Sequence, residues 1–161
     1  GLEEHNAING VCVNMIERFL NAMEGCRIIF IIRHGASCIE SKVRRTGQPI
    51  IKAALKWCYG VRLLEGLREL GGLTALCRYE DLVADPKKTL SNLCDTLGLA
   101  FHENMLAQTE STLLSVDYHH GRFLSEKADT IATLPPEVLT MIAPSLERLG
   151  YSIPQSPRVL S

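Results

Sequence analysis

RIIFIIRHGASCIESKVRR, residues Arg27 to Arg45, is the stretch on which the fold turns. Ile28, Ile29, Phe30, Ile31 and Ile32 form an apolar run with the length and β-branched content of a buried parallel strand. The run ends on Arg33, turns at Gly35 and enters a helical pattern from Ser37 to Arg45. A strand, a turn and a helix start in that order leave free backbone N–H groups at the positive end of the helix dipole, an arrangement that attracts anions. Arg33 adds a forked cation and Ser41 a hydroxyl, so the stretch suits a phosphate.

On the N-terminal side, Ile8, Cys12, Met15, Phe19 and Met23 recur at steps of three and four, which predicts a helix over Asn6 to Glu24 closed by Gly25. On the C-terminal side, Gly47 and Pro49 punctuate, and Ile50, Ala54, Trp57, Val61, Leu64 and Leu67 mark a second long helix that stops at Gly71-Gly72. In that stripe Trp57 reads as a core anchor. Leu73 to Cys77 is a short apolar run, a second buried strand, and it delivers Arg78-Tyr79-Glu80-Asp81-Leu82 at its end. Arg78 and Glu80 read there as architectural residues that brace the strand end by ion pairing, not as catalytic ones. Asp85 then caps a helix with Pro86 at its first position, and Leu90, Leu93, Cys94 and Leu97 line one face of it before Gly98 stops it. From His102 to Thr133 the periodicity weakens, and this long polar segment holds Asp117-Tyr118-His119-His120-Gly121-Arg122. Pro135-Pro136-Glu137 opens a last helix carrying Val138, Ile142, Leu146 and Leu149, with Pro144 expected to kink it. The pattern predicts a single domain over residues 1–153 and a loose tail over 154–161.

The bulk properties narrow the class. A chain of 161 residues can bury roughly 70% of the surface its unfolded form exposes, so it needs no disulfide framework. The six cysteines form no CxxC pair and mostly fall at apolar helix or strand positions. They read as reduced core residues of a cytoplasmic protein, with no metal site. With 17 basic and 18 acidic residues the net charge is −1, which gives no general drive toward nucleic acid or anionic membranes. Anion selectivity must therefore be local. No run of apolar residues reaches the length of a membrane span, and no charged n-region followed by an apolar h-region stands in the sequence, so neither a span nor an export signal is expected.

The order of these marks resembles bacterial sulfotransferases. An apolar strand ending in Arg33, Ser41 eight residues later, Arg44-Arg45-x-Gly47 and a helix with Trp57 are similar to the second half of those enzymes. Arg78 to Pro86, RYEDLVADP, followed by a helix and Gly98-Leu99-x-Phe101, is similar to a second marker, and Leu146-x-x-Leu149-Gly150-Tyr151 to their closing helix. The resemblance implies a P-loop-like α/β sulfotransferase fold, helix-rich and truncated, with a small parallel sheet. It implies transfer of a sulfuryl group from 3′-phosphoadenosine-5′-phosphosulfate to a hydroxyl or amine, on a small-molecule, glycan or peptide acceptor, without a metal. Arg33 and Ser41 would hold the donor's 3′-phosphate. Glu4 and His5 stand where the family tends to place its base, with His119 and His120 as second candidates.

One departure bears on activity. Family members begin with a strand and a Gly/Ser/Thr-rich loop bearing a Lys or Arg that cradles the 5′-phosphosulfate, and no such loop stands in this sequence. Gly1 to His5 lies where the family reads Gly-Trp-Lys-Glu-Pro, with Glu3 in place of the Lys. The expectation is a C-terminal portion of the fold, a poor enzyme in isolation, completed by self-association or by a missing N-terminal segment. Two alternatives remain. One is a non-catalytic nucleotide-binding or assembly module of the same fold. The other takes Arg33-His34-Gly35-x-Ser37 as similar to the signature of histidine phosphatases, with His34 as the phosphorylated nucleophile and His120 as the second histidine.

Overall fold

The computed structural model describes residues 13–23, 25–107 and 134–153. In chain order the elements are helix α1 (Val13–Ala22), strand β1 (Ile28–Ile32), helices α2 (Gly35–Thr46) and α3 (Ile50–Glu69), strand β2 (Leu73–Arg78), helices α4 (Tyr79–Ala84), α5 (Pro86–Leu97) and α6 (Asn104–Ala107), and helix α7 (Pro136–Arg148). The two strands pair in parallel, Ile29 opposite Ala75 and Ile32 opposite Arg78. Parallel pairing requires a crossover, and here it is the α2–α3 pair.

Side chains alternate across a strand, so directly paired residues share a face. Ile32 is buried against Val61 and Leu64 of α3 and against Leu149, with Phe30 and Leu76 packed on the same cluster. The opposite face of β1 is open, with Ile29 41% and Ile31 58% exposed. A second cluster joins Ala36 and Ile39 of α2, Ala53 and Ala54 of α3, and Leu134, Val138, Ile142 and Leu146 on and before α7. Three alanines at the α2–α3 contact let those helices approach closely, since interaxial distance follows side-chain size. Trp57 packs against both clusters and joins them, as its place on the helical stripe led one to expect.

The local signals act at the predicted places. Gly25, Gly47, Gly71, Gly98 and Gly150 all take positive φ, where a Cβ would be strained. Asp85 Oδ1 accepts from the Lys88 N–H at 3.0 Å and caps α5, with Pro86 at its first position. Gly72 needs its missing side chain for a different reason: a Cβ there would run into Leu20 of α1. Helix α2 starts at Gly35, two residues earlier than the sequence reading placed it, because His34 caps it. Tyr79–Ala84 winds into α4 directly from the end of β2, a helix that the sequence reading did not mark. The last helix runs through Pro144 to Arg148, as its apolar stripe predicts. The portion of the first predicted helix before Val13, its last residue Glu24, the polar segment from Gln108 to Thr133 and the tail from Pro154 lie outside the described residues.

Among those residues Cys26, Cys38, Cys58, Cys77 and Cys94 are free thiols, with Cys77 and Cys94 buried. Burial pushes the Cys58 and Cys77 thiols up from their ordinary value, which keeps them protonated and inert. No helix among the described residues is long and apolar enough to cross a membrane.

Candidate functional site

The site forms where β1 ends. Ile32 is locked into the core, so the next residue, Arg33, emerges at the strand's C-terminal edge, half-buried, with its guanidinium carbon 4.6 Å from the centre of the Tyr79 ring. That distance is within the range of a cation–π contact. Beyond it the chain is held by side chains from two other elements, α3 and α4. The Trp57 Nε1–H donates to the Arg33 carbonyl at 3.2 Å, and the His34 N–H donates to Glu80 Oε1 at 2.8 Å. These are the two polar atoms of one peptide unit, and both are gripped. Gly35 follows because nothing larger fits: an added Cβ would lie 3.0 Å from three carbons of the Trp57 ring.

Glu80 is itself anchored. Its second oxygen accepts from the Tyr151 hydroxyl at 2.9 Å, and Tyr151 stands edge-on to the His34 ring, centroids 5.1 Å apart at 72°. The Arg78 guanidinium lies 4.6 Å over the other side of this assembly, on the Tyr151 ring, and donates to the Leu149 carbonyl. No ion pair joins Arg78 to Glu80: Arg78 closes the strand and Glu80 stands in the first turn of α4, and each finds its partner in the chain that follows α7. Burial is the main reason the Tyr151 phenol is raised above its usual value, and the Glu80 charge adds to it, so the hydroxyl stays a donor throughout the ordinary pH range.

His34 does work that the sequence did not announce. Its Nδ1 accepts the Ala36 N–H at 3.3 Å, which assigns the proton to Nε2, 3.4 Å from the Ser152 carbonyl. Burial lowers its pKa, outweighing the opposing pull of the Ser152 contact and of Glu80, and so favours the neutral ring. Both nitrogens are therefore engaged in holding structure, and a ring so engaged presents no lone pair to an incoming phosphoryl group. The histidine phosphatase reading loses its nucleophile. The imidazole also occupies one of the first amides of α2, so that backbone donor is already engaged at the helix terminus.

Ser41 sits half-buried on α2, six residues after Gly35 and so about 9 Å along the axis. It shares a face with the buried Ser37 one turn earlier. A groove of about 670 Å³ runs between β2 and the α4–α5 pair, lined by Thr74, Arg78, Asp81, Lys88 and Thr96 among others. Neither Arg33 nor Ser41 lines it, so the groove is a separate feature. Glu4, His5, His119 and His120 lie outside the described residues. Among the described residues no three His, Cys, Asp or Glu side chains cluster as metal ligands would.

The geometry defines a helix-rich α/β domain in which a parallel strand hands a fixed arginine to the start of a helix. A sequence model of the sulfotransferase family matches residues 12–103, and the chain belongs to that family. No curated protein matches it. Two solved structures are similar throughout. The sulfotransferase domain from the curacin biosynthetic pathway shares 26% identity at a TM-score of 0.71, over 92% of this chain and 61% of its own. The sulfotransferase domain from the Synechococcus PCC 7002 olefin synthase shares 26% identity at 0.69, over 88% of this chain and 55% of its own. The fold is thus the sulfotransferase fold, and the chain spans little more than half the length of these domains.

Proposed function

We propose that this chain binds the nucleotide end of 3′-phosphoadenosine-5′-phosphosulfate, with Arg33 and Ser41 as ligands of the 3′-phosphate, in a protein that transfers the sulfuryl group to a hydroxyl or amine. The observation that carries this reading is the gripped peptide unit at the end of β1. A guanidinium on a fixed stem, half-buried and stacked on Tyr79, suits a dianionic phosphate, because little freedom remains to be lost when the fork engages. The half-buried Ser41 hydroxyl on the next helix offers a neutral donor to the same group. The donor, when bound, supplies the activated sulfuryl group. The chain's described residues bind and orient its nucleotide, and sulfuryl transfer asks the protein mainly for positioning and charge stabilisation, as phosphoryl transfer does.

Thermal unfolding with two nucleotides tests the assignment. Adenosine 3′,5′-bisphosphate at 100 times its dissociation constant should stabilise the fold by about 2.7 kcal/mol, and adenosine 5′-monophosphate at the same concentration by much less. Equal shifts from the two would remove the 3′-phosphate from Arg33 and Ser41.

A further inference from the structure

We infer that Tyr151 and Glu80 are positioning residues for the anion site, acting on Arg33 through the backbone; the inference rests on the reading of Arg33 proposed above. Arg33 lies between a strand and a helix, where neither hydrogen-bond ladder fixes the plane of its peptide. That plane is set from outside. Trp57 takes the Arg33 carbonyl at 3.2 Å and Glu80 takes the His34 N–H at 2.8 Å, so rotation of the unit would break two hydrogen bonds at once. The neighbouring Tyr79 holds the guanidinium from the side, 4.6 Å from ring centre to carbon. The first two residues of α4 therefore control both ends of the arginine.

Glu80 can serve this role only if its carboxylate is itself held in orientation. A half-buried carboxylate with one oxygen on a backbone N–H keeps a second oxygen to satisfy, and the Tyr151 hydroxyl supplies the donor at 2.9 Å. Tyr151 is in turn fixed by the His34 ring on one side and by the Arg78 guanidinium 4.6 Å from its own ring. The hydrogen bonds of this network link Tyr151 to Arg33 through Glu80 and the His34 N–H, so the phenol three residues beyond α7 decides where the strand-end arginine points. The site is completed by a residue 118 positions away in the chain from Arg33.

The test is a double-mutant cycle on affinity for adenosine 3′,5′-bisphosphate, measured by calorimetry with adenosine 5′-monophosphate as the comparison. Tyr151→Phe removes one hydroxyl and keeps the ring. It should weaken bisphosphate binding about 3- to 10-fold, the range set by the net worth of one hydrogen bond, and leave monophosphate binding unchanged. In an Arg33→Ala background the same substitution should have no effect, because the element it positions is gone. Glu80→Ala should match or exceed Tyr151→Phe. Glu80→Gln should restore most of the affinity, since its amide oxygen still accepts from His34 and its NH₂ can donate to the phenol oxygen. An equal loss from Tyr151→Phe in both backgrounds would show a general structural role and overturn the inference. So would a parental affinity in the Tyr151→Phe protein. A parent that does not distinguish the two nucleotides would instead remove the 3′-phosphate reading itself, and the inference with it.

Discussion

Gly35→Ala is the sharpest perturbation of the strand-end site, because it adds a single methyl group at a place where the neighbour is known and constrained. The new Cβ would meet Cε2, Cζ2 and Cη2 of Trp57 at 3.0 Å, where carbon atoms prefer about 3.5 to 4.0 Å. The indole would have to recede by roughly 0.5 to 1 Å, and its Nε1–H is bound to the Arg33 carbonyl while its body packs against both core clusters. Overpacking of this kind costs about 1 to 3 kcal/mol, and losing the Trp57–Arg33 hydrogen bond adds about 1 kcal/mol. Alanine in place of glycine at a helical position returns about 0.5 to 1 kcal/mol. The net loss is about 1 to 3 kcal/mol, or about 3 to 8 °C in melting temperature for a domain of this size. Trp57 is the only tryptophan in the chain, so its emission reports the displacement directly and should shift in the folded state. Gly60→Ala, in the same helix as Trp57 and with nothing within 4 Å of the added methyl, is the control and should be neutral or slightly stabilising. An unchanged melting temperature with unchanged emission in the Gly35→Ala protein would show that the ring does not rest on Gly35, and the account of how Arg33 is held would fail with it.

Three further outcomes are expected. His34 is neutral in the fold with a pKa below the ordinary 6.5, so its stabilising contribution is complete above that pH and is lost as the pH falls, where the unfolded chain binds the extra proton. Urea unfolding at pH 7.5 and 5.5 should show the parent losing stability on acidification and His34→Asn, which keeps a capping acceptor and does not titrate, losing less; equal losses would dissociate the cap from the titration. Asp85→Ala removes the acceptor of the Lys88 N–H and should cost about 1 kcal/mol, measured as a drop in melting temperature without change in nucleotide affinity. Arg33→Lys keeps the charge and loses the fork, so calorimetry should show weaker adenosine 3′,5′-bisphosphate binding in a protein that unfolds as the parent does.

The fold was legible where a local signal acts alone. Ile28–Ile32 is a strand with the bounds its apolar run suggests, and α5 begins at Asp85-Pro86 and ends at Gly98 because cap, first turn and stop all point the same way. Helix α4 escaped notice because six residues are too few to show a period, and Tyr79–Ala84 carries no side-chain cap. The early start of α2 escaped because histidine is not among the residues that ordinarily cap a helix. Arg78 and Glu80 were readable as residues that brace a strand end, but their charges do not name the partners. In the structure each reaches into the segment after α7, 71 residues away.

The same distinction separates what the sequence says about Arg33 from what it leaves out. The residue's identity and its place after an apolar run mark it as an anion ligand, and that much needs only neighbours within ten positions. Its orientation needs Trp57 at a separation of 24, Glu80 at 46 from His34, and Tyr151 at 71 from Glu80. Nothing in the sequence ties these three to Arg33: Trp57 reads as a core anchor and Tyr151 as the end of a closing helix, and each packs against an apolar cluster with its body while its one polar atom serves the site. Aromatic side chains of this kind divide the labour between burial and hydrogen bonding, so the same substitution that empties the core also releases the arginine. That coupling is why the hydroxyl-only change Tyr151→Phe and the methyl-only change Gly35→Ala are the informative variants, and why truncating either ring to alanine would not separate the two roles.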